Sequence, residues 1–168
     1  MKPETNKNWF VFYTKSRHEK KVSDLLLKRG YEVFLPMQKV MRQWSDRKKK
    51  VEVPLFNSYI FVNTLEHLIP EVLQIPGISW SIRHNDKPAI LHPKEYELIH
   101  RFLATGLTIE VIAVDNIETG DKVQVMDGPL KGAFGQVTKA APNKFMVSLD
   151  LLGNAMRVEL DPSLLKKL

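Results

Sequence analysis

The chain has 168 residues, 25 Lys and Arg against 19 Asp and Glu, a formal net charge of +6, and 43% apolar residues. That length holds one ordinary domain or two small ones around a packed core. The absence of cysteine excludes disulfides, thiol catalysis and cysteine metal sites, and no apolar run is long enough to span a membrane. The polar start, Met1-Lys2-Pro3-Glu4, lacks the apolar stretch of a secretory signal, so a reducing cytoplasm is the expected location.

The charge is uneven. Residues 1–104 carry 18 Lys and Arg against 11 Asp and Glu, whereas residues 105–168 carry 7 against 8. The first part has the electrostatics to approach a polyanion and the second does not.

Residues 9–15 read as a strand. Trp9, Val11 and Tyr13 share one face, and Phe10 and Phe12 the other. Two apolar faces predict a central strand covered on both sides, or one with a face reserved for a partner. Ser16 and Glu19 have capping-box spacing and predict the start of a helix. Val22, Leu25, Leu26 and Arg29 mark its buried stripe, with His18 at the upper end, and Gly30 is placed to end it.

Residues 31–41 predict a strand bent at Pro36. Residues 42–50 form a basic hairpin tip with one aromatic, Trp44. Such a tip offers a ring for a base to stack on, or serves only solubility. Strands at 51–56 and 58–63 follow, then a short helix at 66–74 ended by Pro76-Gly77. Short strands at 78–83 and 89–91 flank an Asn85-Asp86 turn. A last helix opens at Pro93 and stops at Gly106. This order suits an α+β sandwich with helices against an antiparallel sheet. A hinge is expected between Thr105 and Thr119, although residues 107–114 are apolar enough to form a strand packed on one of the domains.

The stretch after the hinge has the most specific pattern. Val123 and Val125 alternate with polar residues, Asp127-Gly128-Pro129 turns the chain, and Gly132, Phe134, Gly135 and Val137 follow. With Gly120 ahead of it, this strand, glycine-rich turn and strand resembles a KOW motif, the opening hairpin of an SH3-like β-barrel. Its glycines and turn residue are Gly120, Asp127, Gly128, Gly132 and Gly135. The strand character of residues 145–149 and 156–160, and the helix-interrupting Gly132, Gly135, Pro142 and Gly153, predict a barrel rather than a helical hairpin.

The runs Trp9-Phe10-Val11-Phe12-Tyr13-Thr14-Lys15, His18-Glu19-Lys20-Lys21-Val22, Pro54-Leu55-Phe56-Asn57-Ser58-Tyr59-Ile60-Phe61-Val62 and Pro76-Gly77-Ile78, followed by the KOW motif, together resemble NusG-type transcription elongation and antitermination factors. The resemblance covers nearly the whole chain. It implies a ferredoxin-like NusG N-terminal domain (1–104), a linker (105–118) and a KOW domain (119–168). It also implies binding of the RNA polymerase clamp through Tyr13, Phe56, Tyr59 and Phe61, with suppression of pausing or termination. Aromatic anchors suit such an interface, and a place in the sheet core is the competing role for Phe61.

Lys15, Arg17, His18, Lys20 and Lys21 match the region that faces the non-template DNA strand in specialised relatives, with nascent RNA nearby; a solvated helix face is the other reading. Leu152 stands where the housekeeping factor has an exposed Phe that meets Rho or a small-subunit ribosomal protein, with Asn154 beside it. Asn57-Ser58 replaces the usual Pro-Gly or Pro-Asn pair. Ser81 stands where an aromatic is usual, and alternation would aim Trp80 to the opposite face. These departures imply a specialised paralogue of the RfaH/UpxY kind, an antiterminator recruited to long operons such as polysaccharide loci. The expected state is a monomer without cofactor or metal.

Five scattered histidines, no phosphate-binding loop and no nucleophile elbow give no catalytic constellation. A ribosome-associated KOW RNA-binding protein is the alternative, against which the neutral second half argues.

Overall fold

The computed structural model describes residues 6–113, 120–138, 141–149 and 154–168. The chain opens with β1 (Asn8–Thr14), α1 (Glu19–Lys28), β2 (Glu32–Phe34), β3 (Met37–Gln43), β4 (Lys48–Pro54) and β5 (Tyr59–Thr64). A 3-10 turn (Glu66–Leu68) runs into α2 (Ile69–Val72), followed by β6 (Ile78–Ser81), β7 (Arg83–His84), β8 (Lys87–Pro88), β9 (Ile90–Leu91) and α3 (Pro93–Ala104). Then come β10 (Glu110–Ala113), β11 (Lys122–Val125), β12 (Phe134–Thr138), β13 (Ala141–Leu149), β14 (Asn154–Glu159), a second 3-10 turn (Pro162–Leu164) and β15 (Leu165–Lys167). Contacts gather these elements into two compact units. The first holds the chain up to Met37 and Pro54–Pro93; the second holds Gln38–Val53 and Lys94–Leu168.

In the first unit the antiparallel strand order is β2-β5-β1-β6, and β9 pairs with β1 alongside β6. Phe10 lies opposite Val62 and Phe12 opposite Ile60. These four join Val22 and Leu26 of α1 and Ile69 and Val72 of α2 in one buried cluster. Val11, on the other face of β1, is equally buried, whereas Trp9 and Tyr13 on that same face are only half-buried, so β1 is a central strand with its Phe10–Phe12 face sealed by the helices and its other face partly accessible.

Helix α1 differs from its sequence reading at its start and in the length of its buried stripe. No capping box forms: the helix begins at Glu19, His18 is the N-cap without a side-chain cap bond, and the Glu19 carboxylate bonds elsewhere. Arg17, at φ +63°, breaks the run from Ser16 into the helix. Arg29 is exposed, so the buried stripe stops at Leu26. The C-terminus is as expected. Gly30 has φ +84°, its N–H donates to Leu27, and Tyr31 N–H donates to Leu26, a Schellman closure.

In the second unit six antiparallel strands run β10-β14-β13-β12-β11-β15, an SH3-like barrel with β10 added along β14. The apolar tract after Gly106 therefore does form a strand. Strand character across β11–β14 accords with the barrel expected from the KOW pattern. Phe102 of α3 stacks on Phe145 at 6.1 Å, and both are fully buried. Arg101 donates through Nε to the Pro129 carbonyl at 3.0 Å and through a terminal nitrogen to the Lys131 carbonyl. Gln38 of β3 exchanges two hydrogen bonds with the Ile109 backbone, at 3.0 and 2.9 Å.

The KOW glycines serve two physical ends. Gly128 and Gly132 take φ +84° in the turn, where Asp127 Oδ1 accepts the Gly128 N–H. Gly120 and Gly135 sit where a Cβ would strike a neighbouring strand, 2.0 Å from the Val137 carbonyl oxygen and 2.3 Å from that of Met146.

Candidate aromatic interaction face

The sheet face of β1, β5 and β6 presents three aromatic rings together. Tyr13 and Tyr59 are opposed in register, with an edge-to-face contact at 5.5 Å and 81°. Tyr13 and Trp80 are also opposed, and their rings stack at 4.4 Å and 10°. Trp80 is 54% exposed, and both tyrosines are half-buried.

This corrects the sequence reading of Trp80, which aimed it at the opposite face. Alternation itself holds, since Ser81 lies opposite Phe12 and Trp80 opposite Tyr13; what fails is the expectation that position 81 lies on the aromatic face, because Ser81 shares the Phe12 side instead. Trp80 is thus the aromatic that sequence reasoning missed on this face. Its signal was an unclaimed Trp beside Ser81, but which of the two would pair with Tyr13 was not readable.

The remaining two aromatics of the expected site are deep. Phe61 is 0% exposed and Phe56 is 2% exposed. Phe61 packs against Phe56 at 6.3 Å and Phe34 at 5.7 Å, and Phe34 meets Trp9 at 6.0 Å. Phe56 and Phe61 are therefore buried, and of the aromatics on this face Tyr13, Tyr59 and Trp80 form the accessible part.

The loop that delivers Tyr59 is fixed from two directions. Ser58 adopts φ +67°, its carbonyl accepts the Thr14 N–H at 2.8 Å, and its own N–H donates to Glu19 Oε1 at 2.9 Å. Gly77, at φ +99°, accepts from Lys15 N–H at 2.9 Å, and a Cβ there would lie 2.7 Å from Val22 Cγ2.

The basic segment follows at once. Lys15, Arg17, Lys20 and Lys21 are exposed between the end of β1 and the first turn of α1. His18 is half-buried, and its Nδ1 lies 2.8 Å from the Ser16 carbonyl. In the second unit, Asn154 begins β14 opposite Leu149 and Ala113 and is half-buried. Leu152 lies outside the described residues. Among the described residues no three acidic, His or Cys side chains gather to hold a metal ion, and no helix is long and apolar enough to cross a membrane.

A ferredoxin-like α+β sheet with an accessible aromatic face, followed in the chain by an SH3-like barrel, defines a two-part binding protein. The profile of the family described as "Transcription termination factor nusG" matches residues 7–100, more than half of the chain, which belongs to the NusG family. Its members are transcription factors, and that is the role of this chain. It is 29% identical to the transcription termination/antitermination protein NusG of Streptococcus pyogenes serotype M1, with 93% of each chain covered. It is 27% identical to that of Rickettsia felis, over 98% of this chain and 94% of the relative. The solved structure "Domain interaction in Thermotoga maritima NusG" shares the fold, with a TM-score of 0.58 at 20% identity, covering 96% of this chain and 97% of that one.

Proposed function

We propose that this chain is an elongation and antitermination factor that grips the RNA polymerase clamp with Tyr13, Tyr59 and Trp80, while the buried Phe56 and Phe61 belong to the packing of the domain rather than to the contact surface. The observation that carries the reading is the accessible stacked Tyr13–Trp80 pair on a rigid sheet face. Large rings with few rotatable bonds bury area at low entropic cost, which is what an interface anchor requires. Clamp binding bridges the cleft over the nucleic acid and suppresses pausing or termination. Lys15, Arg17, His18, Lys20 and Lys21 contact phosphates of the non-template DNA strand or of nascent RNA, a term that weakens with salt.

In this reading, residues 1–104 form the polymerase-binding domain, 105–118 the connector and 119–168 the KOW domain. The KOW domain recruits a further factor around Leu152 and Asn154, with Rho or a small-subunit ribosomal protein as the candidates. Leucine in place of an aromatic at 152 supports a specialised antiterminator, acting as a monomer at particular long operons such as polysaccharide loci.

The test is capture of core RNA polymerase by the full chain and by a Tyr13→Ala/Trp80→Ala variant whose circular dichroism matches wild type. The expected result is capture by wild type and at least tenfold weaker capture by the variant. Equal capture by both removes the aromatic face from the interface. Co-purification with ribosomal subunits through a high-salt wash, without polymerase, favours the ribosome-associated alternative.

A further inference from the structure

The hairpin β3–β4 is a two-stranded sheet of its own, joined to neither of the larger sheets. Its two strands have seven residues each, and the Trp44 N–H donates to the Arg47 carbonyl at 2.7 Å across the turn. The bond and the equal strand lengths set one register, in which Gln43 faces Lys48, Arg42 faces Lys49 and Val40 faces Val51. Alternation then places Gln38, Val40, Val51 and Val53 on one face at the base, and Arg42, Trp44, Arg47 and Lys49 on the same face at the tip. Burial follows this division. The four base residues are half-buried and the four tip residues are exposed.

The ribbon thus has an anchored root and a free end. Over residues 37–54 it carries six cations, Lys39, Arg42, Arg47, Lys48, Lys49 and Lys50, against Asp46 and Glu52. Among the described residues none of Arg42, Arg47, Lys48, Lys49 and Lys50 takes part in a salt bridge. Trp44 is 53% exposed in the middle of this charge.

We propose that the tip of the β3–β4 hairpin is a binding site for single-stranded nucleic acid, in which a base stacks on the Trp44 indole while Arg42, Arg47 and Lys49 hold the flanking phosphates. Solubility accounts for the lysines but not for a half-exposed indole among them. An acidic peptide satisfies the cations and leaves the ring without a partner. A polynucleotide strand uses both, because every base offers a π-face and every linkage a negative charge. A duplex does not, since its bases are already stacked on one another and show only their edges in the grooves. This site shares no residue with the basic segment at Lys15–Lys21 and does not rest on the clamp-binding reading.

The experiment is an anisotropy titration of the full chain with labelled oligo(dT) and oligo(U) of about twelve nucleotides, within the span of known single-strand modules. A duplex of the same length is the third probe. Wild type is expected to bind both single strands more tightly than the duplex. Trp44→Ala is expected to weaken single-strand binding about tenfold, and Trp44→Phe to retain most of it. Arg42→Gln/Lys49→Gln is expected to flatten the slope of log affinity against log salt by about 1.4. Preference for one single strand over the other identifies the bound strand as DNA or RNA, and either supports the site. Equal affinity of Trp44→Ala and wild type overturns the proposal, as does tighter binding of the duplex.

Discussion

The buried carboxylate of Glu19 accepts the backbone N–H of Ser58 at 2.9 Å, joining the first turn of α1 to the loop that presents Tyr59. The bond spans 39 residues of sequence. It holds a non-glycine residue in the left-handed region, where an L side chain costs roughly 1–2 kcal/mol. Removing the acceptor leaves a buried N–H unpaired. Glu19→Ala is therefore expected to lower stability by about 1–3 kcal/mol in urea denaturation. Glu19→Gln, which keeps an acceptor oxygen, should lose less. If Glu19→Ala unfolds at the wild-type urea concentration, the bond does not hold the loop.

The Tyr13–Trp80 stack gives a second test, independent of any partner. Rings at 4.4 Å and 10° should couple energetically. A double-mutant cycle of Tyr13→Ala and Trp80→Ala on stability is expected to give a coupling of about 0.5–1.5 kcal/mol. A coupling indistinguishable from zero would mean that the two rings do not rest on each other in solution.

The same residues show what the sequence could and could not reveal. β1 was legible because Phe10, Val11 and Phe12 leave no polar face to turn outward. The end of α1 was legible because Gly30 is the residue that a left-handed C-terminus selects. Glu19 was misread because Ser16 and Glu19 have the right local spacing, while the partner that wins lies 39 residues away. Trp80 was misread because alternation tells only that Trp80 and Ser81 face opposite ways, and pairing with Tyr13 and Phe12 on β1 decides which of them is on the aromatic face. For Phe61, an aromatic on a strand looks the same in sequence whether it is buried or accessible, and Phe56, in the loop before β5, carries no periodicity to place it.

The KOW glycines separate conformational need from space. Gly132 has a positive φ and open surroundings. Gly132→Ala should then cost only the backbone strain, about 1–2 kcal/mol. At Gly135 a Cβ would meet the Met146 carbonyl oxygen at 2.3 Å and the Phe145 ring at 2.6 Å. Phe145 is also the ring on which Phe102 stacks, so it has little freedom to yield. Gly135→Ala should push β12 away from β13 and cost about 3 kcal/mol or more. Thermal unfolding of the two variants orders them, and a Gly135→Ala protein as stable as Gly132→Ala would contradict the close approach.

Acid should loosen the strand that joins α3 to the barrel. Glu110 of β10 lies opposite Arg157 of β14 and accepts from its Nε at 2.9 Å and from a terminal nitrogen, while Lys144 Nζ stands at 3.2 Å. Hydrogen bonding from Arg157 is the largest cause that holds the Glu110 carboxyl below its usual range, and partial burial opposes it. A carboxylate depressed in the folded state stabilises above its unfolded pKa and loses that contribution as pH falls through the folded value. The contribution is therefore present at pH 7 and disappears below the ordinary carboxylate range, near the reference value of 4.5 and under. Its size is modest, a few tenths to about 1 kcal/mol, because the Glu110 side chain is 44% exposed and solvent screens the pair. Glu110→Gln should unfold at lower urea than wild type at pH 7, with the difference closing as the buffer is taken to about pH 3. A gap that stays constant across that range would assign the effect of the substitution to packing rather than to charge.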